Sequence, residues 1–180
     1  MRTKISLALL SIFLLVSCST GPQFRVNYLQ SFDFSSIESY SLYGRNSPFS
    51  ELQSISDVTR NSIEIAIENG FDALGYRYQL LESADVVIGY HIVNRAKELR
   101  AYNRSVRYCR VCLPNSNTEK SNSKTASTGS LIIDIINLEN NRTVWRSVSQ
   151  LKLKDNDNSL EVQEKLEKNI LAMLENLPRS

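Results

Sequence analysis

The chain is poor in the residues that most often carry chemistry. It has one histidine, His91, and three cysteines, Cys18, Cys109 and Cys112, in 180 residues. The motif Cys109-Arg110-Val111-Cys112 brings two of the four ligands that a structural zinc site takes, and a single histidine does not complete the set. Haem attachment needs a histidine where Leu113 stands. No nucleophile accompanies His91, which reads as a satisfied core or edge histidine. There are no internal repeats, and no second hydrophobic run follows the N-terminal one. We therefore expect no catalytic residues, no metal, no cofactor and no enzyme activity.

What is present begins at the N-terminus. Met1-Arg2-Thr3-Lys4 is basic and carries no acid; Ile5 to Val16 is apolar except for Ser6 and Ser11; Ser17-Cys18 follows. A basic start, an apolar stretch and a small-residue cleavage site make a secretory signal. A helix over the apolar stretch rises roughly 18 Å, short of the ~30 Å hydrocarbon core, so it does not read as a permanent span. Leu15-Val16-Ser17-Cys18 resembles the bacterial lipobox. That resemblance implies acylation of the Cys18 thiol and removal of residues 1–17. Ser19, where an Asp would favour retention at the inner membrane, implies the outer membrane, with the domain facing the periplasm. Residues 18–23 are then a lipidated terminus and tether, reaching about 18 Å at about 3.5 Å per residue. Residues 24–180 form a single domain.

Charge narrows the partners. Arg2 and Lys4 leave with the signal, so the 21 basic residues fall to 19, against 19 acidic ones. A neutral chain lacks the basic excess expected of a nucleic-acid binder.

The charge is nevertheless unevenly placed. Arg95, Lys97, Arg100, Arg104, Arg107 and Arg110 stand against Glu98 alone, with Tyr102 and Tyr108 interleaved. As a solvated strand or loop this segment needs no partner. As a patch it would meet anionic lipid headgroups, glycans or an acidic protein. Cys109 and Cys112, the even remainder after Cys18, favour a local disulfide in an oxidising compartment. Inert thiols are the next reading, and redox or metal chemistry the last.

Periodicity gives the fold class. Arg25 to Leu29 and Ser39 to Tyr43 read as strands. Ile55, Thr59, Ile63, Ile67, Phe71 and Leu74 make one helical stripe, closed by Gly75 with Tyr76 folding back. Ala84 to Val93, apolar on both faces, reads as a central strand. Leu131 to Ile136 and Thr143 to Leu153 follow, joined by a turn at Asn140-Asn141 that places Ile136 opposite Trp145 and Ile133 opposite Val148. A last helix starts at Ser159, taken as its cap, and buries Leu166, Ile170, Met173, Leu174 and Leu177. Asn115 to Ser127 reads as a loop. Asp85 and Asp134 interrupt apolar runs and read as strand-end caps or partners for Arg146. The expected architecture is α+β: a mainly antiparallel sheet with two amphipathic helices packed on one face.

Several segments in this order are familiar together: Asp33-Phe34-Ser35-Ser36, Leu74-Gly75-Tyr76, Ala84-Asp85-Val86-Val87-Ile88, Gly129-Ser130-Leu131-Ile132-Ile133-Asp134, Val144-Trp145-Arg146 and Leu177-Pro178. The series resembles the envelope lipoproteins grouped as domain of unknown function 4136. This sequence departs from that pattern at Ser147, where a glycine is usual, and in its basic, cysteine-bearing middle. The resemblance implies an outer-membrane lipoprotein and supplies no catalytic motif. The expected function is a membrane-anchored, non-enzymatic binding or assembly module, tied to the membrane by N-terminal lipid and meeting an anionic envelope surface or envelope protein. The alternative is a periplasmic small-ligand-binding or substrate-handling protein with a pocket on the sheet.

Overall fold

The computed structural model describes residues 24–45, 47, 51–53, 55–109, 112, 113, 126, 129–154 and 156–178. The signal, Cys18, the tether, Arg110 and nearly all of the loop expected over 115–127 lie outside the described residues.

Six strands form one sheet: β1 (Phe24–Tyr28), β2 (Ser39–Leu42), β3 (Arg77–Tyr78), β4 (Val86–Ile92), β5 (Ser130–Asn137) and β6 (Arg142–Gln150), in the spatial order β1-β6-β5-β4-β2-β3. The β1, β6, β5 and β4 ladders are antiparallel, as expected. The sheet as a whole is mixed, because β2 runs parallel to both β4 and β3. A helix joins β2 to β3, and such a crossover returns the chain in the same direction. β4 is central and wholly buried.

Two helices cover one face: α1 (Asp57–Ala73) and the C-terminal helix (Ser159–Leu174). α1 ends as its sequence implies. Gly75 takes φ +88°, and the Tyr76 N–H donates to the Phe71 carbonyl at 3.0 Å. Gly70 has a purpose that periodicity does not show. A Cβ there would lie 2.7 Å from Leu174 Cδ1, so its bareness lets the two helices approach closely. Phe71, Ile63 and Ile67 from α1 and Leu166, Ile170 and Met173 from the last helix bury their side chains with Tyr40, Ile88, Ile133, Ile135 and Trp145 of the sheet.

Three local expectations are corrected. The C-terminal helix is capped by Asn158, not Ser159. The Asn158 side chain accepts from the Leu160 and Glu161 N–H groups while the Glu161 carboxylate accepts from the Asn158 N–H. Trp145 faces Ile135 and Ile133 faces Ser147, because the ladder closes at Asn137 opposite Arg142, leaving four residues in the turn in place of two, and an irregularity between Ile135 and Ile136 then shifts the register back by one. The turn residue Asn141 does take a positive φ, +51°.

The third correction bears on function. Residues 96–105, read as strand or loop, are a helix, α2 (Ala96–Ser105), lying on the opposite face of the sheet. Leu99, Tyr102 and Val106, spaced three and four apart, pack on Val87, Ile132 and Ile136. The C-terminal helix is therefore α3. Among the described residues no helix is long and apolar enough to cross a membrane.

Candidate functional site beneath and on helix α2

The polar residues of the second sheet face meet under α2. Asp134 on β5 and Arg146 on β6 are cross-strand partners. Arg146 donates from Nε to Asp134 Oδ1 at 2.6 Å and from Nη2 to Oδ2 at 2.7 Å. Its Nη1 donates to Asn103 Oδ1 at 2.7 Å, and the Tyr102 hydroxyl donates to Asp134 Oδ2 at 2.8 Å. Two residues of α2 are thus tied to one buried ion pair. The Tyr108 ring closes the top, with the guanidinium carbon 3.5 Å from its centroid. Gly89, opposite Asp134 on β4, makes the room: a Cβ there would stand 2.9 Å from the Tyr102 hydroxyl and 3.0 Å from Ile136 Cδ1.

The electrostatics follow from burial. Arg146 and Asp134 are 3% and 0% exposed. Burial drives the Arg146 guanidinium down, but the Asp134 charge and hydrogen bonds outweigh it, so its pKa ends above the ordinary arginine value. The Tyr102 hydroxyl is held well above the tyrosine range, by burial first and by the Asp134 charge second. His91 stacks on Tyr102 at 4.7 Å with the rings 12° from parallel. Contrary to the expectation of a satisfied histidine, neither ring nitrogen has a hydrogen-bond partner among the described residues. Burial pushes its pKa down to about 4, with Glu98 acting upward and Arg146 downward. His91 is a neutral ring packed in the interior.

This cluster is sealed, and both Asp134 oxygens are already used. A buried pair of this kind fixes geometry and presents no acid or base to a substrate. Its effect is to pin α2 to the sheet.

Just past α2, Cys109 and Cys112 are joined, with a Cα separation of 5.2 Å. Arg107 takes φ +46° and donates to the Asn140 carbonyl at 2.9 Å. On the outer surface Lys97, Arg100 and Arg104 are exposed and form no ion pair among the described residues. Arg95 is exposed and pairs with Glu98 at 2.6 Å, the Glu98 side chain being only 16% exposed. The five described cations of the predicted patch thus lie on or beside one helix; Arg110 lies outside the described residues. The signal that could have found the helix was the Leu99, Tyr102 and Val106 spacing.

Two open depressions, of about 380 and 470 Å³, flank the other edge of the sheet and share Glu38 and Arg77 in their walls. Asp85, which lines the 470 Å³ depression, is structural. Asp85 accepts from the Glu38 and Ser39 N–H groups and the Ser39 hydroxyl, and the Ser39 bond leads in lowering its pKa. It is the strand-end cap expected of it, as Asp134 is the expected partner of Arg146. No group of three metal-ligating side chains occurs among the described residues.

A mixed six-stranded sheet, helices on both faces and a polar cluster locked beneath one of them define an α+β domain without an open acid–base centre among the described residues. The chain belongs to the DUF4136 family, whose model, described as a domain of unknown function, matches residues 24–179. Among solved structures it is similar to a DUF4136 family protein from Bacteroides thetaiotaomicron VPI-5482, with 15% identity and a TM-score of 0.54, covering 84% of this chain and 95% of that one. It is also similar to part of a PDZ domain protein from Parabacteroides distasonis ATCC 8503, with 17% identity and a TM-score of 0.50, covering 87% of this chain and 35% of that one. At these identities the likeness is one of fold. No curated protein matches the chain significantly.

Proposed function

We propose that this protein is an envelope lipoprotein, held to the outer membrane by lipid on Cys18 and facing the periplasm, and that it works by binding and not by catalysis. The observation that carries the binding role is the contrast across α2. Beneath the helix every polar group of the Asp134–Arg146 pair is engaged and buried, while above it Lys97, Arg100 and Arg104 are exposed and form no ion pair among the described residues. A scaffold built this way presents charge on a fixed surface. The anchor is supported by the lipobox-like Leu15-Val16-Ser17-Cys18. Stable retention takes more than one acyl chain, which a fully acylated N-terminal cysteine provides.

The competing reading, a small-ligand protein, rests on the depressions beside Glu38 and Arg77. It is weaker because Glu38 and Arg77 pair with each other at 3.0 Å with both side chains exposed, and Asp85 is committed to the backbone. Cell fractionation tests the main reading. The wild-type protein should sediment with membranes, and Cys18→Ala should release it from them. Retention of the variant at the wild-type level contradicts the anchor.

A further inference from the structure

We propose that the exposed face of α2 docks on net-anionic phospholipid headgroups of the membrane that holds the protein, with Lys97, Arg100 and Arg104 as the contacting cations. This rests on the reading that Cys18 is acylated.

Spacing comes first. Lys97, Arg100 and Arg104 are three and four residues apart, so they share one side of the helix, opposite buried Leu99 and Tyr102. At 1.5 Å per residue the row from Lys97 to Arg104 is roughly 10 Å long. Among the described residues no acid pairs with that row, since the one acid of α2, Glu98, is turned inward and engaged by Arg95.

Charge distribution across the sheet comes second. The opposite face carries α1 and α3, whose exposed side chains include the acids Asp57, Asp72, Glu161 and Glu164 against the cation Lys168, with exposed Glu175 just past the end of α3. A chain whose acids and bases balance once residues 1–17 are removed is therefore polarised through its thickness. An anionic surface attracts one face and repels the other, which sets an orientation.

The third element is where the chain enters the domain. Phe24 pairs with Ser149, Ser149 with Leu131, and Leu131 with Ile92. The entry point is thus three strand spacings of about 4.8 Å from the end of β4. α2 begins four residues after Ile92, so its first turn lies at the same end of the sheet as Phe24. Five tether residues, reaching about 18 Å, keep that end close to the bilayer. The buried Asp134–Arg146–Asn103 contacts hold the helix on the sheet, so docking has only the cationic side chains left to order.

Arginine footprinting of the full lipidated protein tests this. The protein is reconstituted into vesicles of phosphatidylethanolamine alone, or of phosphatidylethanolamine with phosphatidylglycerol, and treated with an uncharged dicarbonyl reagent. Labelling at Arg100 and Arg104 should fall roughly fivefold on the anionic vesicles and recover at high salt. Arg77, on the far edge strand, should label equally on both. Equal labelling of Arg100 and Arg104 on the two vesicle types, or protection that persists at high salt or extends to Arg77, overturns the docking while leaving the anchor intact. An unacylated N-terminus in the same sample overturns both.

Discussion

Arg146 donates two hydrogen bonds to Asp134 directly across the β5–β6 ladder, and α2 is fastened to that pair through Asn103 and Tyr102. Removing the carboxylate leaves a guanidinium buried and unpaired. Asp134→Ala should therefore cost about 3–5 kcal/mol in urea denaturation. Replacing both partners, Asp134→Leu with Arg146→Met, should cost much less, because no charge is stranded. Equal losses in the single and double variants contradict this account of the network.

His91 predicts a pH dependence. Its folded-state pKa is lowered to about 4 from an ordinary 6.5. The unfolded chain therefore binds the proton more readily between those values. Full stability is present above pH 6.5 and declines as pH falls from about 6.5 towards 4, by up to a few kcal/mol. Urea midpoints at pH 7.5 and 5.0 should differ in the wild type and differ less in His91→Phe. An unchanged slope in that variant assigns the effect to other groups.

The cap of α3 separates two neighbouring residues. Asn158→Ala should destabilise the protein by about 1 kcal/mol, whereas Ser159→Ala should be nearly silent. The reverse order contradicts the Asn158–Glu161 capping box.

How much of this was legible depended on whether a segment's pattern was set by neighbours in sequence or across space. The α1 stripe, the Gly75 stop and the central β4 follow from local periodicity and turn chemistry. The parallel pairing of β2 does not, since it is dictated by a crossover. α2 was hidden because its polar residues outnumber its buried ones, and because Asn103, Tyr102 and Tyr108 read as surface residues until Arg146 is placed beneath them. The same concealment applies to Gly70 and Gly89, whose missing side chains are explained only by Leu174 and Tyr102. Among the site residues, the cationic run was visible in sequence, but its presentation on a single helical face required the sheet behind it.

The Cys109–Cys112 bond closes so short a loop that its entropic contribution is small. Alkylation of the protein isolated from cells, before any reduction, should label neither thiol. Reduction should then shift the melting temperature only slightly, the Arg146–Asp134 pair remaining in place. Labelling of both thiols without reductant contradicts the bond.

The proposed membrane docking depends on one covalent event, the proposed acylation of Cys18. Mass spectrometry of the N-terminal peptide from the membrane-extracted protein measures it directly. The account predicts that the peptide begins at Cys18 and carries the mass of the attached acyl chains, with Met1 to Ser17 absent. A peptide that begins elsewhere, or that begins at Cys18 with an unmodified thiol, contradicts it.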